Sequence, residues 1–125
     1  MKIKSVCCNP QVIVDLSNRL ITIEGHSKPQ NARHHYEPLL QMLQLSEIQE
    51  QVTKIIFSIR SIDQASLPFL TLIIGQVSHL IDQGAPIKLI WLTHHDEEES
   101  TFFAHGLQDQ FHLEIKPLLF VETDM

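Results

Sequence analysis

Between Lys54 and Leu92 the chain reads as a strand, a short polar loop, a helix and a second strand, which restricts it to an α/β architecture. In residues 54–70 (KIIFSIRSIDQASLPFL), Ile55, Phe57 and Ile59 alternate with Ile56, Ser58 and Arg60 at strand spacing. A polar loop runs from Ser61 to Ser66, after which Leu70, Ile73, Ile74, Val77, Leu80 and Ile81 recur on one helical face. Gly84 and Pro86 stop that helix, and residues 86–92 (PIKLIWL) form a largely apolar and therefore interior strand. A strand that feeds a helix N-terminus sets its loop side chains beside unpaired backbone N–H groups. Such a junction favours anions, including a phosphate on a nearby hydroxyl. A functional centre is expected there.

The flanking segments extend the pattern. Residues 11–16 (QVIVDL) and 19–24 (RLITIE), parted by Ser17 and Asn18, predict a hairpin with Val12/Val14 and Leu20/Thr22 on alternate faces. Residues 25–30 (GHSKPQ) read as a loop, and Asn31 as the N-cap of a helix carrying Tyr36, Leu39, Leu40 and Leu43. Pro38 lies inside that helix, cannot donate to the carbonyl of His34, and predicts a kink or a later start. Glu97, Glu98 and Glu99 suit the positive end of a last helix, with Phe103, Leu107 and Phe111 on one face. Leu113 to Ile115 reads as an edge strand. The expectation is one domain over residues 1–125: a mixed sheet of about five strands covered by three helices.

Composition narrows the function. The net charge is -6, and the nine Lys and Arg do not cluster, which argues against nucleic-acid binding. The longest apolar run, residues 67–74, is too short to cross a bilayer, and Met1-Lys-Ile-Lys precedes no signal-type apolar core. Cys7 and Cys8 are adjacent, a poor geometry for a mutual disulfide, and suit a reduced, cytoplasmic protein.

Catalytic and metal readings find little support. Of the eight histidines, His34/His35 and His94/His95 are adjacent pairs that diverge on a helix or strand, and HxxxH and HExxH spacings are missing. No GxSxG elbow occurs, and Gly25, Gly75, Gly84 and Gly106 are too scattered for a phosphate loop. Neither a cofactor nor a catalytic residue is assigned. The acidic run from His94 to Glu99 supports the rival reading, a metal-responsive or small-ligand sensor or minor enzyme; an acidic helix start explains it more simply. In the junction loop, Ser66 is expected to cap the helix, Leu67 and Pro68 to start it, and Asp63 to shape the turn. A hydroxyl there would also suit reversible phosphorylation, which adds roughly two negative charges.

Three stretches resemble the SiaC-type regulatory phosphoproteins of bacteria. Gly25-His-Ser27-Lys-Pro29-Gln-Asn31-Ala32, followed by Tyr36-Glu-Pro38, is similar to that family's G-x-S-x-P-x-N-A pattern with an aromatic-x-Pro beyond it. Residues 57–66 resemble its L-x-Y-(F/L)-N-T-S-S junction, and residues 90–99 its W-x-Y-D-x-x-D segment. The likeness spans roughly Leu20 to Ile115 in one order. It implies a STAS-like fold and a non-enzymatic switch, phosphorylated at the junction by a kinase, reset by a phosphatase, and active on a diguanylate cyclase. The same match sets Asp63 at the family's Asn and Gln64 at its phosphorylated Thr, with Ala65 and Ser66 on the following serines. Gln accepts no phosphate. Either Ser66 or Ser61 serves instead, or the protein binds its partner constitutively. The expected contact surface is Ser61 to Ser66 and the helix start, with the loop holding Ser27 and Asn31 as a second patch.

Overall fold

Asp15 shapes the first turn. Its carboxylate accepts hydrogen bonds from the Ser17 hydroxyl at 2.8 Å, the Asn18 backbone N–H at 3.2 Å and the Asn18 side-chain amide at 2.7 Å. These bonds, the Asn18 amide foremost, hold its pKa below the usual carboxylate value. Arg19 follows at φ 58°, in the left-handed region, and the chain reverses. The predicted hairpin results, β1 (Gln11–Asp15) antiparallel to β2 (Leu20–Ser27).

The computed structural model describes residues 10–28, 32–94 and 98–117. After the hairpin come α1 (Ala32–Met42), α2 (Ser46–Gln51), β3 (Lys54–Ile62), α3 (Leu67–Asp82), β4 (Lys88–Thr93), α4 (Glu98–Gln108) and β5 (Leu113–Pro117). The sheet order is β1-β2-β3-β4-β5, and every pair after the hairpin is parallel. This is the expected mixed α/β sheet of five strands. Each crossover steps one strand along in the same direction. Right-handed crossovers therefore place α1, α3 and α4 on one face.

That face holds the core. Ile21 and Ile23 of β2, Ile55, Phe57 and Ile59 of β3, Leu89 and Trp91 of β4 and Leu113 of β5 are buried in register. Against them pack Tyr36 and Leu39 of α1, Leu70, Ile73, Ile74 and Val77 of α3, and Ala104 and Leu107 of α4. Trp91 stacks on Phe57 at 5.3 Å and meets Phe103 edge-on at 5.6 Å.

Several local expectations change. Parallel pairing carries β2 on to Ser27, so Gly25, His26 and Ser27 belong to a strand rather than a loop. The helix α1 runs from Ala32 through Pro38, without waiting for a later start. A fourth helix, α2, was not foreseen, because only Ile48 in SEIQEQ is apolar and no periodicity marks it. Phe111 lies beyond the end of α4 and packs instead on α3, where a Cβ at Gly75 would meet its ring at 3.4 Å. Asn31, Cys7, Cys8 and the tail beyond residue 117 lie outside the described residues.

One irregularity positions the site. Gly25 pairs with Ile59, but the next residue, His26, pairs with Ser61, so Arg60 is an extra residue in β3. This β-bulge inverts the alternation beyond it. Ile62 turns to the helical face, while Ser61 shares the opposite face with His26.

Candidate functional site

The loop between β3 and α3 is fixed by its own backbone. The Asp63 N–H donates to the Ser27 carbonyl at 3.0 Å. The Ser66 N–H donates to the Asp63 carbonyl at 3.2 Å and to its carboxylate at 2.9 Å. Leu67 N–H reaches the Gln64 carbonyl at 3.3 Å, and Pro68 occupies the first turn, where its missing N–H costs nothing. Gln64 and Ala65 thus stand at the exposed crown of a turn that Asp63 closes from below.

Ser66 does not cap the helix with its side chain, contrary to expectation. Its hydroxyl is fully buried and donates to the Ser27 carbonyl at 3.1 Å, while the Asp63 carboxylate takes the Ser66 N–H. Burial decides the matter: sealed from water, the Ser66 hydroxyl needs a protein acceptor, and the Ser27 carbonyl accepts it alongside the Asp63 N–H. Ser27 is buried too, and its hydroxyl shares a short hydrogen bond with the Tyr36 phenol. Burial pushes the Tyr36 pKa up to about 12, with the Asp63 charge adding to it and the Ser27 and Ser66 hydroxyls opposing it. Three hydroxyls from β2, α1 and the start of α3 therefore meet beneath the turn. The Tyr36 ring also stacks on Phe69 of α3 at 6.3 Å. Apolar spacing marks Tyr36 only as a residue of the helix; the aromatic-x-Pro likeness is the signal for its further role.

On the opposite face of the sheet, His26 Nδ1 and Ser61 Oγ share a 2.7 Å hydrogen bond across the bulge. His94 Nε2 and Ser58 Oγ share another at 3.0 Å. Ser61 is half-buried and shares a hydrogen bond; Ser66 is sealed. As folded, Ser27 and Ser66 offer no side-chain surface, and the turn presents Gln64, Ala65 and part of Asp63.

Beside the turn opens a groove of about 440 Å³ between the start of α3 and α4. Gln64 and Leu67 form one wall, Glu99, Phe102, Phe103 and Gly106 the other, and Ile62 and Leu107 complete the lining. Ile62 reaches it because of the Arg60 bulge. Phe102 is 82% exposed, unusual for so large an apolar side chain. Phe102 lies off the helical face that Phe103 and Leu107 share, and the Phe102-Phe103 doublet is its signal in the sequence, since adjacent helical residues cannot both face the core. The helix α4 is pinned by Ser100, whose hydroxyl donates to the Ile59 carbonyl at 2.7 Å and accepts from Trp91 Nε1 at 3.2 Å. Among the described residues, no three His, Cys, Asp or Glu side chains gather to hold a metal ion. His95, Asp96 and Glu97 of the acidic run lie outside those residues.

Fold and site together define a mixed α/β protein with a hydrogen-bonded turn and an apolar groove at the carboxyl ends of its parallel strands. The profile of the SiaC family regulatory phosphoproteins matches residues 3–119, and the chain belongs to that family. SiaC of Pseudomonas aeruginosa superposes with a TM-score of 0.73 at 14% identity, covering 89% of this chain and 92% of that one. The crystal structure of the diguanylate cyclase SiaD in complex with its activator SiaC, from the same organism, matches at 0.75 and 14% identity, covering 89% and 93%. The apo-SiaC crystal structure from that organism matches at 0.73 and 15% identity, covering 88% and 92%. No curated protein matches at the level of sequence. At these identities the structures share the fold.

Proposed function

We propose that this chain is a non-enzymatic, STAS-like, single-domain regulator of the cytoplasm that docks on a diguanylate cyclase through the β3–α3 junction. Family membership and a relative that is the activator in a cyclase complex support the partner class. The observation that carries the surface is the exposed Gln64–Ala65 crown, held rigid by Asp63 over the buried Ser27, Tyr36 and Ser66 hydroxyls. A preformed turn loses little entropy on docking. Gln64 replaces the phospho-acceptor that the family resemblance places there, and Ser61 and Ser66 are both engaged, so the unmodified chain is the binding form. A cognate kinase and phosphatase act on such a protein only if the loop opens to expose one of those serines.

Substituting Gln64→Glu puts a charge on the crown and no strain on the fold. In a calorimetric titration against a diguanylate cyclase from the same genome, affinity should fall roughly tenfold, about 1.4 kcal/mol. Circular dichroism should be unchanged. Equal affinity for both proteins would remove the junction from the interface.

A further inference from the structure

The two edges of the sheet are finished differently. The strand β5 carries Glu114 and Lys116, paired at 3.8 Å, and ends on Pro117, which has no N–H to offer. Charges and a proline are what keep an edge from pairing with another strand. At the other end of the strand order, β1 holds a single charge, Asp15, at its last position. Six large apolar side chains are exposed among the described residues, and three of them cluster here: Ile13 at 40%, Val14 at 40% and Leu16 at 42%. Alternate residues of β1 turn their N–H and C=O away from β2, towards an edge that no other described strand covers.

We infer that β1 pairs antiparallel with β1 of a second copy of this chain, about a two-fold axis that passes through Ile13. The strand is self-complementary in that register. Ile13 meets Ile13 of the second copy on the helix-free face, Val12 meets Val14 on the helix face, and Pro10 falls opposite Leu16. Gln11 falls opposite Asp15, so no like charges face each other. The Asp15 carboxylate already accepts three hydrogen bonds from Ser17 and Asn18, and a carboxylate takes about four, which leaves a place for the Gln11 carboxamide. A stable dimer needs about 800 Å² from each partner, more than one short strand supplies. The same edge extends the surface: an apolar groove of about 300 Å³, lined by Val12, Val14, His35, Pro38, Leu39 and Met42, opens beside it. The axis sets α1 of both copies on one side of the joined sheet, so the two grooves meet across it. Association stops at two, because the joined sheet ends in the guarded β5 at both edges. The strands of the two copies run in opposite directions, so their β3–α3 turns point to opposite ends of the dimer and both stay free.

The test is sedimentation equilibrium of the full chain over a range of concentrations. The wild type should pass from monomer to dimer mass and go no further. Ile13→Lys and Ile13→Glu each set like charges face to face at the axis, so either variant alone should self-associate at least roughly tenfold more weakly. Mixed in equal amounts, the two should recover the dimer, since opposite charges then meet; that recovery also shows that neither variant has misfolded. Ile13 is exposed, so circular dichroism should be unchanged in both. Amide hydrogen exchange of the wild type should slow in β1 as concentration rises and stay constant in β5. A wild type that is monomeric at every concentration, a dimer that survives either variant alone, or variants that fail to recover it on mixing would overturn the inference. A monomer whose β1 is shielded from exchange only by an added diguanylate cyclase would overturn it too, and would give the edge to that partner.

Discussion

His35 shows how one side chain ties stability to pH. Its ring lies among Val12, Val14, Pro38, Leu39 and Met42, and meets Tyr36 edge-on at 5.0 Å. The Pro10 carbonyl accepts a hydrogen bond from it, but Nε2 is buried with no protein partner among the described residues. Burial, more than the nearby His34, pushes its pKa below the ordinary 6.5, and the Pro10 carbonyl only partly offsets this. Protonation would bury a charge and an N–H with no acceptor. As pH falls through 6.5 the unfolded chain binds the proton first, so His35 stabilises the fold above that value and loses this contribution below it. Urea midpoints measured from neutral to mildly acidic pH should therefore fall for the wild type. For His35→Leu they should fall less steeply, and identical slopes would refute the assignment.

At the scale of elements, strands and long helices were legible because apolar spacing alone specifies them. Ile55, Phe57 and Ile59 alternate, and Leu70, Ile73, Ile74 and Val77 keep helical period, whatever their neighbours do. Apart from α2, which carries no apolar period, what escaped was set by contacts distant in sequence. The bulge at Arg60 exists only in the pairing of β3 with β2, yet it turns Ile62 into the groove and Ser61 away from it. Ser66 looked like a cap because Ser before a helix usually is one; the buried Ser27 carbonyl claimed its hydroxyl instead. Ser100 is a third case. It was one polar residue among HHDEEES, and in the fold it joins α4 to two strands through Ile59 and Trp91. Ser100→Ala removes the hydrogen bond to the Ile59 carbonyl and leaves the buried Trp91 indole N–H without its Ser100 partner, which should cost about 2–3 kcal/mol. The denaturant midpoint should drop with no change in slope, and a drop within error would show that water replaces the hydroxyl.

At the scale of the whole molecule, the question is whether this chain still switches. The family is one of regulatory phosphoproteins, while the crown holds Gln64, which cannot be phosphorylated. On the proposed reading position 64 is that of the phospho-acceptor, and the scaffold around it is in place: Asp63 closes the turn, the hydroxyls of Ser27, Tyr36 and Ser66 support it, and residue 64 is exposed. Restoring a hydroxyl should therefore restore the switch without rebuilding the fold. Gln64→Thr incubated with the cognate kinase and ATP should gain one phosphate by intact mass, while the wild type stays unmodified. The new group carries roughly two negative charges and would sit beside Asp63, with Glu99 across the groove. Its repulsion should weaken cyclase binding at least tenfold, and unphosphorylated Gln64→Thr should bind as the wild type does. A phosphate on the wild type, located to Ser61 or Ser66 by fragmentation, would overturn this reading. The loop would then have to open in front of the kinase, breaking either the Ser61–His26 or the Ser66–Ser27 hydrogen bond. Regulation would in that case act on the fold of the junction rather than on the charge of its surface.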